Sequence, residues 1–233
     1  MNKLKPIYSF IVILILMVII GSISFGNVSA RDNPQEISPV SRGAQIYDDW
    51  TSVISDAAIP VGNHPIWSRQ SNNTISGTDT WRCVICHGWD YQGVDGAFRS
   101  GSYSTGFPGL LEASSKDQST LVEALDGSSD AQHNFTSMLS EDDIESVIAF
   151  IQTGLIDDNE YIDIVTRKVI GGNLANGKEK YGQTCSSCHG DDGTLATFRY
   201  EGVDVSLGTL AVQDPWRFLH RTRFGTARAP EMP

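Results

Sequence analysis

The chain has 233 residues, of which 40% are hydrophobic and 19% charged, enough apolar material for globular domains. Its formal net charge is −11. That balance disfavours nucleic acid and anionic lipid as partners and favours docking to basic or locally basic proteins.

The first thirty residues differ from the rest. Lys3 and Lys5 precede an apolar run of 14 residues, Ile7 to Ile20, and small residues follow to Val28-Ser29-Ala30. The run is shorter than the ~20 residues of an ordinary span. This pattern predicts a signal peptide over 1–30, cut after Ala30, and an exported, periplasmic or extracytoplasmic protein. An uncleaved anchor is the alternative, because residues 7–25 could serve as a membrane tether. Cleavage would leave 15 basic and 28 acidic residues, a formal charge of −13. Residues 31–42, with Pro34 and Pro39, read as a flexible tether.

A first domain is expected over 43–154. Gly43-Ala-Gln-Ile-Tyr47 suggests a short helix. Residues 50–80 read as an inserted loop rich in Ser, Asn and Thr, with His64 before Pro65. An exposed loop histidine is the favoured reading of His64. A third distal candidate or a proton-handling group is the alternative. Then comes Cys83-Val-Ile-Cys-His87. Ser115 with Gln118 suggests a capped helix carrying Leu121, Val122 and Leu125 and ending at Gly127. Ser140 with Asp143 caps a second, whose stripe is Ile144, Val147, Ile148 and Ile151. Residues 155–172 read as a linker. A second domain, 173–233, repeats the order: Gly177-Lys-Glu-Lys-Tyr181, then Cys185-Ser-Ser-Cys-His189. Asp214-Pro215 caps a further helix containing His220, read as having a solvated basic face. No alternating strand is expected, so the fold class is all-α with long loops.

The two Cys-x-x-Cys-His motifs use all four cysteines. This is the spacing of covalent c-type haem attachment: two thiols for the two vinyl groups, and the following histidine under the iron. Cys83, Cys86, Cys185 and Cys188 are therefore the expected covalent sites of two haem c groups. His87 and His189 are the expected proximal ligands. Two disulfides would give no reason for a histidine after each pair. A four-sulfur zinc site would have to join pairs about a hundred residues apart.

With these motifs in view, the chain resembles class I c-type cytochromes, as a di-haem member. The resemblance is most specific at Trp81-Arg-Cys-Val-Ile-Cys-His-Gly88 and Tyr181-Gly-Gln-Thr-Cys-Ser-Ser-Cys-His-Gly-Asp-Asp-Gly193. It implies two helical haem domains in tandem, with a distal ligand from a loop after each motif. Leu139-Ser-Glu-Asp-Asp-Ile144 resembles the closing helix of such a domain, and the second domain as given lacks one. Met232, before Pro233, resembles the distal methionine of the family. In the first domain the loop spacing favours His133, seven residues before Ser140, over Met138, two before it. Met138 would then be a hydrophobic staple. A His/His first haem would have a lower potential than a His/Met second haem. The Pro108 carbonyl is expected to orient His87, as in the family.

The reading that follows is an electron carrier between redox proteins. A di-haem oxidoreductase of the peroxidase or thiosulfate-oxidising kind is the enzymatic alternative. The thiosulfate-oxidising kind uses a distal cysteine, and none is spare here. A cytochrome subunit of a membrane-bound respiratory complex is the third possibility.

Overall fold

The computed structural model describes residues 37–230 and 232. The expected signal peptide, the 7–25 tether and residues 31–36 lie outside them. Helix α1 (Pro39–Val53) starts where the Ser38 hydroxyl accepts the Ser41 N–H and Pro39 fills the first turn. The expected tether therefore gives way to helix at Pro39. Gly43, Ala44, Ile46, Tyr47 and Trp50 of α1 are all buried.

Helix α2 (Cys83–His87) is the first motif itself. Helix α3 (Gln118–Leu125) begins later than its expected box: Asp117, not Ser115, accepts the Thr120 N–H. Helix α4 (Glu141–Ala149) has the reciprocal cap read from Ser140 and Asp143. Glu141, Asp142 and Asp143 favour the positive end of its dipole. A wider turn, Phe150–Gly154, completes it.

Helices α1 and α4 cross where α1 has glycine. A Cβ on Gly43 would overlap the Ser146 carbonyl oxygen and sit 2.5 Å from its carbon. Only glycine permits that approach.

Helices α5 (Leu174–Thr184) and α6 (Ser186–His189) bring in the second motif. A two-stranded antiparallel hairpin follows, β1 (Thr197–Tyr200) with β2 (Val203–Ser206), in register Thr197↔Ser206 and Tyr200↔Val203. The all-α expectation is corrected to a mostly helical fold with one hairpin. Its turn residues Glu201 and Gly202 both have positive φ, 46° and 83°, as a two-residue hairpin turn requires.

Helix α7 (Leu207–Gln213) leads to α8 (Pro215–Phe224), capped by Asp214 as expected. The expected tandem of separate cores is not what forms. Trp216 and Phe224 of α8 pack in the same buried cluster as Ala44, Tyr47, Trp50, Ile148 and Phe150. Ile162, from the expected linker, joins it too. Polar contacts fix α8 in place. Gln45 Nε2 donates to the Phe224 carbonyl (2.8 Å). Buried Asp48 accepts from both Arg82 (2.9 Å) and Arg221 (2.8 Å). Those two guanidiniums hold its carboxyl below the usual range against the opposing effect of burial. His220, expected at a solvated surface, is 1% exposed. Its Nε2–H donates to the Ala44 carbonyl (3.0 Å) and its Nδ1 accepts from the Tyr91 hydroxyl (2.7 Å). Burial lowers its pKa to about 4, so it is neutral.

Helix α5, by contrast, buries no residue. A Cβ on Gly177, the counterpart of Gly43, would meet nothing within 4 Å.

Candidate haem site

The Cys-x-x-Cys-His segment of α2 ends in a left-handed glycine, Gly88 (φ 81°), whose N–H bonds the Val84 carbonyl (2.9 Å). The Tyr47 hydroxyl donates to the Gly88 carbonyl (2.5 Å), tying α1 to the motif. His87 Nδ1–H donates to the Pro108 carbonyl (2.7 Å). That carbonyl is held by backbone bonds on either side: Val94 N–H to the Phe107 carbonyl (2.8 Å) and Leu110 N–H to the Tyr91 carbonyl (2.6 Å). With Nδ1 protonated, the lone pair of His87 is on Nε2. Burial lowers its pKa to about 4, which keeps the imidazole neutral and able to ligate. Burial likewise pushes the Cys83 thiol up to about 11 and Cys86 to about 12.

Cys83, Cys86 and His87 line a cavity of about 320 Å³. His133 lines it from the loop after α3. Its Nδ1–H donates to the Ala124 carbonyl (2.5 Å), so its free lone pair is also on Nε2. The His87 and His133 rings are 6.3 Å apart centre to centre and perpendicular (89°). Two imidazoles on opposite sides of one metal ion, at about 2 Å per bond and about 1 Å more to each ring centre, stand roughly 6 Å apart. The donor set therefore fits a haem iron between two histidines. Met138 does not line the cavity; it is 7% exposed in the core beside Phe135 and Leu139.

His64, expected to be exposed, is 5% exposed and lines the same cavity. It stacks on Phe135 (5.4 Å) and meets Trp81 edge-on (4.4 Å). It also caps the short helix Pro65–Arg69: its Nδ1 accepts the Ile66 N–H (3.2 Å). Its proton is therefore on Nε2, leaving no lone pair for a metal. This separates His64 from His133, although their rings lie 6.1 Å apart. The inserted 50–80 loop thus forms a wall of the cavity through His64, Ile66, Arg69 and Thr80, continued by Trp81. The sequence signal for this was the His-Pro pair at 64–65, a helix start.

The second motif has the same local frame. Gly190 has φ 78°, and its N–H bonds the Ser186 carbonyl (2.8 Å). The Tyr181 hydroxyl donates to the Gly190 carbonyl (2.6 Å), as Tyr47 does to Gly88. The surroundings differ. Cys185 is half-buried and Cys188 exposed. His189 Nδ1 is buried without a partner, so no carbonyl does for it what Pro108 does for His87. Its ring lies 5.7 Å from that of Phe198 on β1. Met232 N–H bonds the Ala229 carbonyl (3.3 Å). Among the described residues no three of His, Cys, Asp and Glu converge as a metal cluster. No helix among those residues is long and apolar enough to cross a membrane.

Neither the curated proteins nor the solved structures compared with the chain include a match. The family model described as Cytochrome c matches residues 75–154, from the end of the inserted loop through α2, α3 and α4 to Gly154. This stretch contains Cys83, Cys86, His87, Pro108 and His133, and it supports a c-type cytochrome: a haem-binding, electron-transferring domain.

Proposed function

We propose that the chain is an exported di-haem c-type cytochrome that passes electrons between redox proteins, with His87 and His133 as the axial ligands of the first haem. One observation carries the first-haem assignment. Two imidazole rings lie 6.3 Å apart centre to centre, and each has its Nδ1 proton bound to a backbone carbonyl, Pro108 or Ala124. Such hydrogen bonds fix the tautomer and raise ligand basicity.

Haem supplies the redox chemistry when bound. The chain's residues hold and shield it. Cys83 and Cys86 would hold it covalently, His87 and His133 would supply nitrogen ligands to its iron, and Trp81 and Phe135 would shield it from water. Two histidine ligands would leave no iron position for a substrate, so the first site would suit a carrier better than a catalyst.

The second haem rests on Cys185, Cys188 and His189. What supports it is the shared frame of Gly88 and Gly190 under Tyr47 and Tyr181. Met232 is the proposed distal ligand there. The acidic surface suits basic redox partners, and export rests on residues 1–30.

The test is near-infrared magnetic circular dichroism of the oxidised holoprotein beside His133→Met. A bis-histidine band at the first haem that moves to His/Met character in the variant is the expected result. An unchanged spectrum would assign the distal ligand elsewhere. Pyridine haemochrome analysis gives the haem count, two per chain if the second motif is loaded.

A further inference from the structure

A second cleft, of about 480 Å³, is lined by Val84, Ile85 and Cys86 of the first motif. Its far wall is made by the hairpin residues Arg199, Tyr200 and Glu201 and by α8. Six arginines line it: Arg82, Arg167, Arg199, Arg217, Arg221 and Arg228. The lining acids are Asp49, Glu201 and Asp214. In a chain of net charge −11 this is a local inversion of sign.

The arginines divide by how they are engaged. Arg82 and Arg221 are paired with buried Asp48, and Arg199 with Asp204 (3.2 Å). Arg217 and Arg167 have no carboxylate within salt-bridge reach among the described residues. Each is held over an indole instead, Arg217 over Trp89 (6.0 Å) and Arg167 over Trp216 (5.8 Å). Their best polar contacts are long ones to carbonyls, Arg199 and Gln213, both at 3.4 Å.

Three buried side-chain atoms on this cleft also lack a partner: Arg217 Nε, Trp216 Nε1 and Asn73 Nδ2. Trp216 is 2% exposed and Asn73 6%. All three are N–H donors. Buried donors without acceptors are costly, and three in one cleft beside unpaired guanidiniums define the chemistry of what would satisfy them. Such a ligand brings anionic oxygens; guanidinium and indole N–H match oxyanions and carboxylates.

We infer that this cleft is an anionic-oxygen binding site, with Arg217, Arg167, Trp216 and Asn73 as its donors. The oxygens come from one of two sources: a free oxyanion, or the carboxylates of a haem on the second motif. The second source rests on the di-haem reading above; the first does not.

The test uses the full-length holoprotein, with sulfate as probe, followed by calorimetry at low ionic strength. Beside it are Arg217→Gln, Arg167→Gln and, as a control for loss of a charge from the same cleft, Arg199→Gln, whose guanidinium is already paired with Asp204. Saturable binding that weakens at least tenfold in Arg217→Gln and Arg167→Gln, but not in Arg199→Gln, establishes a free-anion site. If sulfate does not bind, but Arg217→Gln and Arg167→Gln displace the midpoint potential of one haem where Arg199→Gln does not, the oxygens are haem carboxylates. Two results overturn the inference: equal weakening by all three variants, which is diffuse charge, or neither binding nor a displaced midpoint. A haem count of one removes the carboxylate arm and leaves the sulfate arm to decide alone. Circular dichroism of each variant distinguishes a lost site from a lost fold.

Discussion

Gly43 and Gly177 hold the same place in the two halves, four residues before the tyrosine that binds the post-motif glycine carbonyl. The structure predicts opposite effects for the same substitution. At Gly43 an added Cβ would overlap the Ser146 carbonyl and lie 2.9 Å from the Phe150 Cβ. The obstacle is largely backbone, so α1 and α4 would have to separate. Overpacking costs about 1–3 kcal/mol, and more where the neighbour cannot yield. Replacing a mid-helix glycine by alanine returns only about 0.8 kcal/mol. With the backbone unable to yield, the upper end of that cost applies, and Gly43→Ala is expected to destabilise the fold by roughly 2 kcal/mol. At Gly177 the methyl meets nothing, and the helix gain of about 0.8 kcal/mol stands alone. Chemical denaturation followed by tryptophan fluorescence reads the first effect, because Trp50 and Trp216 lie in the core beside the crossing. Hydrogen exchange of the amides in 174–184 reads the second, as slower exchange in Gly177→Ala. If Gly177→Ala instead speeds exchange, or Gly43→Ala leaves the denaturation midpoint unchanged, the asymmetry between the halves is wrong.

Three further outcomes are expected. Asp48→Asn should cost about 3–5 kcal/mol by stranding Arg82 and Arg221; thermal melts at neutral pH check this. Because the folded pKa of Asp48 is depressed, its stabilisation is present above about pH 4 and is lost as pH falls through the folded value, so the variant and wild type should converge in acid. Asp158 has the opposite sign. It is 1% exposed, and burial pushes it up to about 7 against the pull of Arg223. Between its unfolded value and about 7 the folded state keeps a proton that the unfolded state has lost, so stability falls as pH rises through that window. Asp158→Asn should therefore raise stability at pH 8, on the order of 2 kcal/mol, with the gain gone below pH 4; urea titrations at the two pH values decide it. Gly109→Ala places a Cβ 2.5 Å from the Gln92 Cα, so the loop carrying Pro108 must shift. The His87–Pro108 bond should lengthen, ligand basicity fall and the potential of the first haem rise, a change that spectroelectrochemistry measures.

What was legible in the sequence is what is local. The two Cys-x-x-Cys-His turns, the reciprocal Ser140–Asp143 cap and the Asp214-Pro215 start each lie within a few residues of chain. The hairpin was also local: Thr-Phe-Arg-Tyr and Val-Asp-Val-Ser flank Glu201-Gly202. Strands of four residues beside helical segments were too short to show a period of their own. His64 and His220 were misread for a different reason. Each sits among polar or basic neighbours, and what buries it comes from far along the chain. Phe135 stacks on His64 from 71 residues away, and Ala44 accepts from His220 across 176. The Arg217-Phe-Leu-His-Arg-Thr-Arg223 run looked like a solvated basic face because the acceptor for Arg221, Asp48, is 173 residues distant.

The same long-range contacts explain why the two halves, so alike around their motifs, end up unequal. Tyr47 and Tyr181 place Gly88 and Gly190 in one conformation, so the repeat is real at the level of the attachment turn. The first half then packs α1, which carries Tyr47, against α4, which Gly43 admits, and against α8, which comes from the second half. Once α8 is committed to Asp48, Gln45 and Tyr91, it cannot also shield His189. Residues 173–206 are left with a single buried position, Gly193. A segment with so little apolar burial cannot offset its chain entropy from side chains alone. Under the di-haem reading, the apolar face of the second porphyrin is the surface against which Phe198, Leu195 and Val203 would pack. Order in 173–206 should then depend on the cofactor, while the first half, with α8 docked, holds a formed cavity between His87 and His133.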